Sequence, residues 1–66
     1  MRTLLTRMDA GELREWLVEK FAFGWSGSIT RSVQYAERRL AALLRCSFSD
    51  IRPELIQEAQ QLREAA

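Results

Sequence analysis

Apolar residues recur along this chain at steps of three and four. Leu13, Trp16, Leu17 and Phe21 form a first stripe, Ile29, Val33, Ala36, Leu40, Leu43 and Leu44 a second, and Leu55, Ile56, Ala59 and Leu62 a third. That spacing gathers each set on one side of an α-helix, where neighbours three and four residues apart lie one above the other. The pattern predicts an all-α fold: a single domain over residues 1–66, built as a compact bundle of three main helices at about 10–22, 29–45 and 53–64. Leu4, Leu5 and Met8 add a short N-terminal helical turn packed beside the first helix.

The residues between the stripes supply the punctuation. Asp9 can cap the first helix, and Glu12, three residues on, can reach back to the Asp9 amide in a capping box. Met8 before the cap and Leu13 at the fourth helical position are placed as a hydrophobic staple. Gly24 gives the stop signal. The Gly24-Trp25-Ser26-Gly27-Ser28 stretch reads as a loop with a hydrophobic anchor, and Ser28 or Thr30 can cap the long helix that follows. Residues 46–52 break the apolar pattern. Pro53 disfavours the α region at Arg52 and itself suits the first turn of a new helix, so the last helix is predicted to start there.

Length and composition narrow the class of activity. A chain of 66 residues buries only about 60% of the surface its unfolded form exposes. Its stability alone is therefore marginal, and a partner or a second copy, such as a homodimer, would add to it. The net charge of +1 argues for neither nucleic acid nor membrane, although it is polarised: residues 1–23 balance, 24–52 carry +3 and 53–66 carry −2. Cys46 is the only cysteine, so no internal disulfide forms, and a reducing cytoplasm is the expected compartment. No run of 18 apolar residues predicts a membrane span, and the apolar run near the N-terminus is too short for a signal peptide. With no histidine and one cysteine, zinc sites and histidine-based nucleophile or acid–base pairs are excluded by inventory. The expectation is a non-enzyme without metal or cofactor.

The candidate contact residues are Trp25, Phe23, Arg31, Arg38, Arg39 and Arg45. Arg31, Arg38 and Arg45 stand seven apart with Arg39 close by, making one flank of the long helix basic. This flank reads as a solvated face or as a contact for an acidic protein, with phosphate a lesser alternative. A helix-turn-helix reader needs a short recognition helix after a tight turn, and these arginines sit on the longest predicted helix, so nucleic acid is disfavoured. Trp25, beside Phe21 and Phe23, either caps the core or anchors an interface. Trp16 and Phe48 read as core, Cys46 as a structural cysteine, and Glu12, Glu15 and Glu19 as a solvated acidic face rather than a hard-cation site.

The run Arg7-Met8-Asp9-Ala10-Gly11-Glu12-Leu13-Arg14-Glu15-Trp16 resembles the N-terminal part of the small tail-assembly chaperones of long-tailed phages and prophages, where a cap precedes a Glu-Leu-x-Glu-Trp helix. The resemblance extends to an alanine-rich second helix, here 36–44, and to a Phe-x-x-Asp-x-x-Pro closing segment, here Phe48, Asp50 and Pro53 with the spacing tightened by one. Phe23-Gly24-Trp25-Ser26 stands where that family carries Pro-Phe-Gly-Glu. The resemblance implies a helical, non-enzymatic protein that binds tape-measure and tail-tube proteins. Two other readings stand beside it: a small phage-encoded inhibitor of a host protein, such as an anti-CRISPR, and a DNA-binding regulator.

Overall fold

The computed structural model describes residues 2–24 and 31–65, and among them every regular element is helical. Helix α1 spans Arg2–Arg7, α2 Ala10–Glu19, α3 Arg31–Leu44 and α4 Phe48–Ala65. Helix α2 runs on without a break into a π-helical turn, Lys20–Gly24. Trp25, the expected caps Ser28 and Thr30, and Ile29 lie outside the described residues.

The start of α2 follows from its sequence. The Asp9 carboxylate accepts from the Glu12 amide at 2.8 Å, and the Asp9 amide donates to Glu12 Oε1 at 3.0 Å, completing the capping box. Met8 and Leu13 join the same core as the staple requires. The π turn extends the helix past the expected end at residue 22. Its wider winding buries the adjacent pair Phe21 and Ala22 while leaving Phe23 63% exposed. Lys20 Nζ sits 5.4 Å from the centroid of the half-buried Trp16 ring, a cation–π contact one helical turn apart.

Helix α3 buries Val33, Ala36, Leu40 and Ala41, and its expected end at residue 45 moves back to Leu44. Arg45 adopts the left-handed conformation, with φ 55°. The Cys46 amide then donates to the Ala41 carbonyl at 3.0 Å and the Arg45 amide to that of Ala42 at 3.3 Å. These two bonds form a Schellman closure, with arginine where glycine is usual.

Helix α4 begins at Phe48, five residues before the expected start at Pro53, and Arg52 is helical despite the proline that follows it. The Asp50 amide bonds the Ser47 carbonyl at 3.1 Å, and Ser47 Oγ donates to Asp50 Oδ2 at 3.0 Å, so the chain turns at Ser47. Pro53 forfeits one bond, to the Ser49 carbonyl. Burial of Ile51 and the locking of Arg52, both in the added stretch, offset that loss.

The core is Leu5, Leu13, Leu17, Phe21, Val33, Leu40, Ile51 and Leu55, filled in by alanines. Helix α2 lies against both α3 and α4, and the π turn packs on α4. The 18 residues of α4 span about 27 Å, close to the 29 Å long axis of the molecule, so both its ends overhang the core. The stripes are therefore longer than what they bury. Leu43 and Leu44 at the end of α3, and Phe48 and Leu62 toward the ends of α4, all expected in the core, are exposed, and so is Cys46, expected to be a buried or semi-buried structural cysteine.

Candidate interaction surface

Four exposed apolar or soft side chains fall within residues 43–48, where α3 passes into α4. Leu44 continues the buried stripe of α3 one turn beyond Leu40, and Phe48 precedes Ile51 on the stripe of α4. Because both helices outrun their neighbours there, Leu44 remains 48% and Phe48 39% exposed, with Leu43 and Cys46 beside them. Phe48 stands between two shallow clefts. One is walled by Ala41 and Cys46, the other by Arg52, Pro53 and Ile56. Arg45, held in its left-handed turn, adds an exposed cation at the rim.

Arg52, which shares a cleft with Phe48, belongs to an ion pair that ties α4 to α3. Glu37 occupies the apolar stripe of α3, between Val33 and Leu40, and its side chain is only 2% exposed. Arg52 answers it with a two-pronged contact, Nε to Oε2 and Nη2 to Oε1, both at 2.6 Å. Hydrogen bonding to the Glu37 carboxylate raises the Arg52 pKa above its usual value, charge attraction adds to this, and partial burial opposes it. A raised basic pKa means that the pair's stabilisation is lost on the basic side only above the ordinary arginine range. The fork therefore holds α3 to α4 throughout neutral and moderately basic pH. Nothing in the apolar periodicity points to Arg52, but a glutamate at a stripe position is itself a signal, because a buried carboxylate requires a cation.

The arginine flank divides. Arg31 and Arg38 are exposed on the outer face of α3, turned away from the core. Arg39 is half-buried and donates through Nη2 to the Met8 carbonyl at 3.2 Å, tying α3 to the α1–α2 corner, so this member of the flank is engaged within the fold. Arg45 belongs with the apolar corner. Phe23 is exposed on the π turn, which packs on α4.

Helices α2 and α4 enclose a groove of about 860 Å³ that is open to solvent. Its walls include Gly11, Glu15 and Val18 of α2 with Gln61 and Leu62 of α4, and an Arg14–Glu58 bridge of 2.8 Å crosses it. Glu12, Glu15 and Glu19 are all exposed on α2, and Glu12 is committed to the capping box. Among the described residues no group of histidine, cysteine, aspartate and glutamate is arranged to hold a metal ion, and no helix is long and apolar enough to cross a membrane.

No protein-family model, no characterised protein and no solved structure matches the chain.

Proposed function

We propose that this chain is a non-catalytic binding domain that docks a partner protein on the α3–α4 corner, with tail assembly in a long-tailed phage or prophage as its most specific setting. One observation carries the reading: Leu43, Leu44 and Phe48, three large apolar side chains, are all exposed within residues 43–48, where α3 passes into α4. Apolar side chains scattered singly on a surface need no explanation, whereas a contiguous group rimmed by polar residues is the usual signature of an interface. An aromatic flanked by clefts also matches the anatomy of a hot spot, in which a central ring is ringed by contacts that exclude water. Arg45 at the rim suits an acidic neighbour and acts more on association rate than on affinity.

The tail-assembly setting rests on the likeness of residues 7–16 to the cap and Glu-Leu-x-Glu-Trp helix of that chaperone family. The test is capture of purified tail-tube or tape-measure protein by the wild-type chain and by Phe48→Asp. Phe48 is already exposed, so the variant keeps its helical circular dichroism while binding falls at least tenfold. Equal capture by both chains would remove the corner from the interface, and capture of neither tail protein would remove the tail-assembly setting.

A further inference from the structure

We infer that the outer face of α3 is the docking site for a second copy of this chain, which presents the face of its α2 that borders the open α2–α4 groove. The two faces are complementary in charge and in size. On α3, Arg31, Gln34, Arg38 and Ala42 are exposed along one line, and neither arginine has an ion-pair partner among the described residues. On α2, Gly11, Glu15 and Glu19 are exposed at steps of four, and neither glutamate is paired among the described residues.

Laid antiparallel, the two helices match in a register that sets small residue against small residue and opposite charges along the rest. Ala42 opposite Gly11 brings Arg38 opposite Glu15, because both steps are four residues, or about 6 Å of helix. Gln34 then faces Glu19, and Arg31, about 4.5 Å further along, reaches the same carboxylate with its long side chain. Small residues meet at one end of the contact, where helix axes can approach closely, and opposite charges meet along the rest.

Gly11 supplies an independent reason to look outward. It sits in the first turn of α2, where glycine weakens a helix relative to alanine. A Cβ there would meet only Asp9 Oδ1, at an ordinary 3.4 Å. The fold itself therefore does not require glycine at this position, whereas a helix crossing from outside benefits from the missing side chain. The groove that Gly11, Glu15 and Glu19 line also offers Val18 and the overhanging Leu62 as apolar contacts for the incoming helix.

The contact joins two different surfaces, so each copy keeps one free donor face and one free acceptor face. Association continues past the dimer unless the rotation closes a ring. Because the contact is mostly between exposed charges, it is weak and sensitive to salt, the screening length falling from about 30 Å at 0.01 M to about 3 Å at 1 M.

Sedimentation velocity over rising concentration tests this directly. At low ionic strength the wild-type average mass climbs with concentration, and in 0.5 M salt the chain returns to monomer. Arg38→Glu and Glu15→Arg each stay monomeric alone, since like charges then face each other, and an equimolar mixture of the two associates again. Both positions are exposed, so both variants keep the wild-type circular dichroism. Should either fold poorly, Arg38→Gln and Glu15→Gln weaken association without reversing charge. A wild-type chain that remains monomeric at low salt, or a mixture that does not recover association, overturns the assignment. Self-association lost in Phe48→Asp and kept in Arg38→Glu overturns it too, because the copies would then meet at the partner-binding corner.

Discussion

Leu55 and Leu62 stand seven residues apart on the same face of α4, yet one is completely buried and the other is 38% exposed. Leu40 and Leu44 on α3 repeat the contrast. Residue type, helix and face are held constant within each pair, so the difference lies in what stands opposite. The middle of the bundle has a partner helix at every buried position, and the ends do not. Under the proposed function, stability and binding then fall to different stretches of the same stripes. The sharpest way to break that division is truncation at both places. Leu55→Ala leaves a cavity in the core and is expected to cost about 3 to 4 kcal/mol, comparable with the whole stability of a chain this small. Leu62→Ala truncates a side chain that is more than a third exposed and borders an open groove, and should cost about 1 kcal/mol. Urea unfolding of both variants reads the ratio directly. Equal losses would mean that the exposed end is packed in solution, by a second copy or by a different arrangement of α4.

Two ion pairs sharpen the same contrast between a closed middle and an open surface. Arg52–Glu37 links α3 to α4 with the carboxylate almost wholly buried, and Arg14–Glu58 links α2 to α4 with both side chains more than a third exposed. Arg52→Met strands a charge that water cannot reach and is expected to cost about 2 to 3 kcal/mol, somewhat below the full penalty because Arg52 itself is one-third exposed. Arg14→Met should cost no more than about 1 kcal/mol, and less in high salt. Adding Glu37→Met to Arg52→Met should recover much of the loss, since a well-packed apolar pair replaces the buried ions at little cost. A double variant no more stable than Arg52→Met alone would show that the pair provides geometry which packing cannot replace.

The division between middle and ends also separates what could be read from the sequence and what could not. Helix existence was legible because Leu13, Leu17 and Phe21, or Val33, Ala36 and Leu40, recur at helical spacing, and Asp9 with Glu12 announced the start of α2 through chemistry local to four residues. Periodicity, however, says which side of a helix is apolar and nothing about how long its neighbours are. Leu43, Leu44, Phe48 and Leu62 therefore read as core when they are overhang. The start of α4 was misplaced because Pro53 is a strong local signal, whereas the contacts that keep the preceding turn helical, Ile51 in the core and Arg52 on Glu37, are tertiary. Of the arginine flank, the spacing of Arg31 and Arg38 on one outward face was legible. The inward turn of Arg39 was not, because its acceptor is the carbonyl of Met8, 31 residues away.

Where no core closes a helix end, local backbone structure must do so, and the end of α3 tests how well. Arg45 sits at φ 55°, the conformation in which an L residue crowds its own carbonyl, at a cost of about 1 kcal/mol that glycine avoids. Its side chain is exposed and makes no ion pair among the described residues, so replacing it removes no internal contact. Arg45→Gly should therefore stabilise the chain, by about 0.5 kcal/mol once the greater freedom of glycine in the unfolded state is subtracted. Gln34→Gly, at an exposed interior position of the same helix, should destabilise by about 0.5 to 1 kcal/mol. Opposite signs for the same new residue, read as shifts of the thermal midpoint, are the expected result. If both substitutions destabilise alike, the left-handed closure is not what ends α3, and the exposure of Leu43, Leu44 and Phe48 would need a cause other than a helix stopped by its own backbone.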